Sequence, residues 1–266
     1  VLFLAGVSWV VATWSTVRIA HAWLNLFGFV GLVVTSTLIH LLPTALGTRV
    51  ARRATGLGGI LALAAGAALG AAGFVVRSDA LARLGAVGLL ASVGLLGLEA
   101  IRVWRAQGRW TTDLGWHRFV GGALLGGTAW YAVGVAIVAG RTLVEGARPA
   151  AWDLQPLIVP LGVGWLGSVF LGSASHLVPS IGPGDPVAHA AIRRRLGRAA
   201  TLRLIGLHLG VVLAASAGLG DAGSAGSGAA SAWVAIGLVG QLGWLASAAA
   251  SMVLLAWAVL AVLDRR

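Results

Sequence analysis

Long apolar runs separated by short polar segments make up most of this 266-residue chain. An α-helix needs about 20 consecutive apolar residues to cross the hydrocarbon core of a bilayer. Because backbone polar groups cannot remain unpaired in lipid, runs of this length are typical of membrane-spanning helices. The pattern predicts an all-α, polytopic integral membrane bundle of about eight transmembrane helices, at residues 1–17, 21–43, 57–76, 80–102, 116–140, 155–178, 202–219 and 231–262.

The composition supports a single transmembrane domain that covers residues 1–266. Hydrophobic residues make up 58% of the chain and charged residues only 10%. The first residue is Val1, and the chain opens inside an apolar run. We therefore expect the sequence to be a fragment of a longer protein rather than a chain that begins with a signal peptide.

An internal repeat links two distant parts of the chain. Residues 27–44 match residues 163–180 at an offset of 136, and both copies carry a histidine three residues before a proline. Six of the eighteen positions are identical, namely Gly28/Gly164, Gly31/Gly167, Val33/Val169, His40/His176, Leu41/Leu177 and Pro43/Pro179.

The offset predicts how the two copies lie in the membrane. It maps the second predicted span onto the sixth, so four spans separate the copies, and an even number gives both copies the same direction. We therefore predict a 4+4 parallel repeat, with halves at about 1–113 and 114–266, related by an axis along the membrane normal. The paired glycines would let the two repeated helices approach closely.

Arginine provides all of the basic side chains, and its distribution between loops predicts orientation. Of 19 arginines, fourteen fall on one side of the predicted spans and five on the other. The positive-inside rule then places both ends of the chain in the cytoplasm and the protein in the plasma membrane. Arg193–Arg195 has no interleaved aromatic residues, so we expect contact with membrane lipid and no nucleic-acid binding.

Tryptophans fall near both predicted membrane boundaries. This distribution is typical of an aromatic belt. The outer boundary holds Trp14, Trp23 and Trp152, the inner boundary holds Trp104, Trp110 and Trp116, and four tryptophans predicted to pack deeper are Trp130, Trp165, Trp244 and Trp257.

Three histidines at similar predicted depth suggest a metal site. His40, His176 and His208 all lie toward the cytoplasmic side, and neutral imidazole suits copper, iron and zinc. An alternative stays open for His40 and His176: each could instead hydrogen-bond a carbonyl that the following proline leaves free. The other two histidines of this side, His117 and His189, are predicted to be solvated.

His21 is too far from the cytoplasmic histidines to share a metal with them. It lies 19 residues before His40 on the same predicted helix, which at ~1.5 Å per residue spans almost the whole hydrocarbon core. Asn25 follows one turn later on the same face as His21.

The segment around His21 also resembles known membrane proteins. Arg18-Ile-Ala-His21 followed by Asn25-Leu-Phe-Gly-Phe29 resembles the second helix of heme-copper oxidase and nitric oxide reductase catalytic subunits, and a stretch of NnrS-like heme and copper membrane proteins. Most of all, residues 18–53 and 160–181 look like the membrane region of actinobacterial multicopper oxidase or copper nitrite reductase-like proteins.

These resemblances imply a membrane-embedded electron-transfer or anchoring domain of a copper oxidoreductase-like respiratory or nitrogen-oxide protein. They imply heme on His21, with Arg18 and Asn25 beside it and the second axial ligand supplied by residues absent from this sequence or by a partner. No cupredoxin motif and no cysteine occur here, so copper would belong to an extracytoplasmic cupredoxin domain or another redox partner. A small-solute or metal transporter, an assembly factor and a purely structural anchor stay open as alternatives, and whether the chain is an enzyme stays undecided.

Overall fold

A computed structural model describes residues 8–49, 53–148, 157–181, 186–223 and 230–263. The secondary structure of these residues is helical and contains no strand, which confirms the predicted all-α class. The elements are α1 Ser8–Trp23, π1 Leu24–Gly31, α2 Leu32–Ala45, α3 Arg53–Val76, α4 Asp79–Ala106, α5 Leu114–Glu145, π2 Ile158–Gly167, α6 Ser168–Ile181, α7 Pro186–Leu196, α8 Ala200–Gly223 and α9 Ala230–Leu263.

Seven helices in the described ranges are long and apolar enough to cross a membrane, in agreement with a multi-pass membrane protein. The sequence predicts about eight because residues 1–17 and 21–43 read as separate spans. The described part of this region is one continuous helix, from Ser8 through π1 to Ala45. Residues 8–27 contain no glycine or proline, and a polar Arg18 and His21 do not break a helix.

The chain divides into two compact units. Unit 1 comprises the described residues within 1–40, 50–102 and 132–154. Its core forms where α1 and π1 pack against α3. Trp23 is fully buried there, and its ring meets Phe27 and Phe74 edge to face at centroid distances of 5.2 and 5.3 Å. Its indole Nε1–H donates to the Gly66 carbonyl at 3.2 Å. Trp23 therefore packs inside the bundle, where a backbone acceptor satisfies its polar atom, and not on a lipid-facing belt, while its predicted depth stays a prediction.

Helices α3 and α4 of unit 1 pack backbone against backbone. A Cβ placed on Gly85 would overlap the backbone of Gly70, and one placed on Gly88 would lie 2.8 Å from the Cα of Gly66. Small residues at a helix contact are the usual way in which membrane helices reach such close approach.

Unit 2 comprises the described residues within 41–49, 103–131 and 155–266. Helix α8 packs along α9, and π2 packs against α8. Trp165 of π2 is fully buried, with its ring centroid 4.6 Å from that of Tyr131 on α5. This confirms that Trp165 belongs to the core, as its predicted depth indicated.

The two π-helical segments coincide with the repeated sequence. They end at Gly31 and Gly167, which are 136 residues apart, and each is followed by a 14-residue α-helix that contains a proline. At equivalent positions, the N–H of Leu32 bonds the Phe29 carbonyl and the N–H of Ser168 bonds the Trp165 carbonyl. The predicted 4+4 parallel arrangement of the halves stays a prediction.

Candidate functional site

A polar strip runs along one exposed side of α1 and π1 in unit 1. Arg18, His21 and Asn25 are all exposed, and their spacing of three and four residues aligns them on one helix face. The Asn25 side-chain amide donates to Nε2 of His21 at 2.8 Å. Apolar residues are exposed beside the strip, among them Trp14, Leu24 and Phe29. The strip therefore interrupts an otherwise apolar, membrane-facing surface.

The strip fits one side of a heme site. Because the Asn25 amide can only donate, Nε2 of His21 accepts and the neutral ring carries its hydrogen on Nδ1, so iron on His21 would have to displace the Asn25 bond. The Arg18 guanidinium, one turn away, is suited to a heme propionate because it forms charge-assisted hydrogen bonds to carboxylates. Unit 1 contains only one other histidine, His40, at the far end of the same continuous helix. A second axial imidazole would therefore have to come from outside unit 1.

In unit 2, His176 lies against an indole that replaces a missing helix bond. Pro179 lies inside α6 and has no N–H, so the carbonyl of Ser175 loses its normal partner. The indole Nε1–H of Trp116 donates to this carbonyl at 2.7 Å. His176 stacks on the Trp116 ring at a centroid distance of 5.7 Å. The carbonyl that the proline frees is thus bonded by Trp116 rather than by His176.

His117 also packs on Trp116, so that His117, His176, Trp110 and Trp116 form one cluster of rings. The sequence predicts a solvated side chain at position 117. The His117 ring stacks on Trp110 at 3.7 Å and meets Trp116 edge to face at 4.6 Å. Among the described residues, no hydrogen-bond partner reaches the buried Nδ1 atoms of His117 and His176. The prediction was wrong because α5 begins at Leu114, which places His117 in a packed helical turn rather than in a loop. Tryptophans one residue before and seven residues before His117 were the available signal.

An ion pair between Arg193 and Asp113 lies beside this cluster. Nε of Arg193 lies 2.8 Å from a carboxylate oxygen of Asp113, and the Arg193 guanidinium lies 5.7 Å from the centre of the Trp116 ring. Asp113 has a φ of +51° and its carbonyl accepts the N–H of His117. Asp113 is therefore engaged by Arg193 through one carboxylate oxygen and by the start of α5 through its backbone carbonyl.

His208 has a protein partner for each ring nitrogen. Trp130 Nε1–H donates to His208 Nδ1 at 3.3 Å, and since an indole can only donate, Nδ1 must accept. Nε2 then carries the hydrogen and donates to the Gly122 carbonyl at 3.2 Å. A metal bound to His208 would have to displace one of these two bonds.

The predicted three-histidine metal site gains no support from the described residues. In the described ranges, no three His, Asp or Glu side chains form a group that could hold a metal ion. His40 belongs to unit 1, whereas His176 and His208 belong to unit 2. A shared site on His40, His176 and His208 stays a prediction.

Comparison with known proteins assigns no relative to this chain. It matches no protein family model, no curated protein and no solved structure.

Proposed function

We propose that this chain is the membrane-embedded, heme-binding electron-transfer region of a larger redox protein, in which His21 provides one axial ligand. One observation carries the proposal: Arg18, His21 and Asn25 share an exposed strip that is flanked by the exposed apolar side chains of Trp14, Leu24 and Phe29. The strip therefore offers a cation, an imidazole and apolar surface together to a bound partner.

The chemistry of the strip favours heme over a simple polar helix contact. His21 supplies an imidazole, Arg18 supplies a cation for a propionate, and the exposed Phe29 and Leu24 supply apolar surface for a porphyrin face. Asn25 donates to Nε2 of His21 and holds the ring in place, and heme iron would replace this hydrogen bond as the partner of Nε2. When bound, heme supplies one-electron transfer, and the protein residues bind it and set its potential.

The rest of such a protein would complete the site. The second axial ligand would come from a partner chain or a second copy, and copper chemistry would reside in an extracytoplasmic cupredoxin domain or redox partner. The resemblance of residues 18–53 and 160–181 to membrane regions of copper oxidases supports this division of roles.

Absorption spectroscopy of the purified protein tests the proposal. We expect a Soret band with α and β bands on reduction, loss of these bands in His21→Ala, and weaker heme retention in Arg18→Gln. His40→Ala is the matched control, because His40 is exposed on the same continuous helix and outside the strip. A wild-type protein without heme after expression in heme-replete cells, or a His21→Ala variant with an unchanged spectrum, would refute the proposal.

A second candidate, a small-solute or metal transporter or assembly factor, is favoured by the His117 and His176 cluster. Both imidazoles contact Trp116 and both have a buried Nδ1 that no described residue bonds. For this function we expect copper or zinc to copurify without heme. His117→Ala and His176→Ala should each abolish the bound metal, and the double variant should lose no more, because paired ligands act as a unit. A protein with neither heme nor metal would leave a structural anchor.

A further inference from the structure

The N-terminus of α8 in unit 2 is surrounded by positive charge and lacks an acidic residue. The first turn of α8 contains no Asp or Glu. The positive end of a helix macrodipole normally attracts carboxylates or other anions and repels cations. Here, three arginines belong to this end: Arg118 bonds Thr201, Arg198 precedes the helix by two residues, and Arg203 lies in its first turn.

Specific contacts hold two of these arginines at the turn. Arg118 Nη1 donates to the hydroxyl oxygen of Thr201 at 3.0 Å. Arg203 Nη1 donates to the carbonyls of Leu196 and Arg198 at 2.7 and 3.3 Å. Arg118 and Arg198 are exposed, whereas Arg203 is only 3% exposed. Arg118 is thus an exposed cation bonded at the turn, Arg198 is an exposed cation next to the turn in sequence, and Arg203 is a buried cation.

The buried Arg203 charge has no counter-charge within the described chain. Its Nε donates to the Ser251 hydroxyl at 2.9 Å, and its guanidinium lies 3.6 Å from the centre of the Phe119 ring. No hydrogen-bond partner among the described residues reaches its buried Nη2. A buried cation without an anion is costly, because neutral partners compensate only part of its lost hydration.

The backbone at this turn also offers unpaired donors. Helix α8 makes its first bond from the N–H of Arg203 to the carbonyl of Ala199. The N–H groups of the three residues before Arg203 therefore precede the first intrahelical bond. Ala199 stands at the cap position with a φ of +49°, and its methyl side chain has no oxygen to cap them. Helix N-termini with free N–H groups are established binding sites for phosphate.

We propose that the phosphate of an anionic membrane lipid binds at the N-terminus of α8, between Arg118 and Arg198 and above the buried Arg203. Lipid is the source we favour because α8 is a candidate membrane span that begins at Ala200, which puts this turn at headgroup depth. The preceding helix α7 buries Ala188, Ile192 and Leu196 on one face and exposes Arg194 and Arg195, as expected for a helix at the membrane surface.

Lipid binding to the full chain in neutral detergent tests the proposal. Native mass spectrometry would measure the apparent Kd for dimyristoyl phosphatidylglycerol, with dimyristoyl phosphatidylcholine as the neutral lipid. We expect phosphatidylglycerol to bind selectively. The double variant Arg118→Gln/Arg198→Gln should weaken it about 30-fold, since each arginine near an anionic headgroup contributes about 1 kcal/mol.

The matched control removes the same charge elsewhere. Arg105 and Arg109 are exposed in the same unit and lie outside this turn, so Arg105→Gln/Arg109→Gln should change the Kd less than about threefold. Equal weakening by both double variants would overturn the proposal, because it would indicate a diffuse charge effect. Displacement of the lipid by millimolar inorganic phosphate would also overturn it, since the occupant would then be a soluble anion.

A second variant tests the site if the double variant fails to fold. Ala199→Asp puts a carboxylate at the exposed cap position, where Asp tolerates a positive φ. We expect this variant to unfold at a higher temperature without lipid and to bind phosphatidylglycerol about tenfold more weakly, because its own carboxylate replaces the phosphate at the helix end. Unchanged lipid affinity in Ala199→Asp would refute the site.

Discussion

Three tryptophans link helices through their indole N–H groups at positions where lipid offers no acceptor. Trp23 bonds the Gly66 carbonyl, Trp116 bonds the Ser175 carbonyl, and Trp130 bonds the His208 imidazole. The second of these bonds depends on a proline, because Pro179 is the residue that leaves the Ser175 carbonyl without a helical partner. A single indole thus compensates a defect in a neighbouring helix.

The Trp116 bond can be tested by a double-mutant cycle with Pro179. Trp116→Phe should lower the free energy of unfolding by about 1–2 kcal/mol, because it leaves a buried carbonyl unpaired. In a Pro179→Ala background the same change should cost less, since the alanine restores the backbone N–H that bonds the Ser175 carbonyl. Unfolding in a mixed SDS and neutral detergent series would measure both. Trp104→Phe is the control, because Trp104 is 51% exposed, and equal costs in both backgrounds would contradict the coupling.

The sequence predicted the surroundings of a side chain correctly only where its depth in the membrane or its position around its own helix decides them. The apolar runs correctly predicted that Trp165 is buried, and the spacing of Arg18, His21 and Asn25 correctly placed them on one face. The burial of Trp23 was not predictable, because a run of apolar residues does not reveal which side of a helix meets another helix. Depth from the membrane boundary and burial within the bundle are independent quantities.

Helices α3 and α4 form the element pair in which glycine matters most. Contacts at Gly66, Gly70, Gly85 and Gly88 bring the two backbones together without intervening side chains. In lipid, such contact gains dispersion energy that an apolar side chain facing lipid would not provide. The sequence shows many glycines in this region, but only the packing distinguishes those that meet a backbone from those that face open space.

Two leucine substitutions on α4 should distinguish a glycine that meets the backbone of another helix from a glycine that faces open space. Gly85→Leu should destabilise the protein by about 3 kcal/mol, because its side chain would have to push α3 away at Gly70. Gly94→Leu lies on the same helix and should be nearly neutral, since nothing lies within 4 Å of a Cβ added there. Unfolding by SDS would measure both variants, and similar losses in the two would contradict close packing at Gly85.

At the scale of the whole molecule, the number of spans determines where the ends lie. The eight predicted spans place both ends in the cytoplasm, whereas seven spans, the number of candidates in the described ranges, would place the start of α1 and the end of α9 on opposite sides. The continuous helix from Ser8 to Ala45 has 38 residues, which at about 1.5 Å each makes it about 57 Å long. It is therefore almost twice as long as a hydrocarbon core of about 30 Å.

Cysteine labelling in this cysteine-free chain distinguishes a topology of seven spans from one of eight spans. With an impermeant maleimide on intact cells, we expect Ser8→Cys and Arg148→Cys to react and Gly108→Cys to react only after permeabilisation. Ser8 would lie inside the membrane if residues 1–17 were a span of their own, and the cysteine introduced there would then be unreactive on both sides. The cysteine-free parent chain provides the background signal.

The π-helical segments also set the angular phase of the helices that contain them. Successive residues of an α-helix are rotated by about 100°, so a wider turn displaces everything before it around the axis relative to everything after it. The strip of Arg18, His21 and Asn25 begins before and enters π1, and the helix that carries His40 follows it. The two ends of one continuous helix can therefore present unrelated faces. A one-residue deletion within 26–31, which keeps all three members of the strip, would remove one step of about 100° between the strip and the end that carries His40.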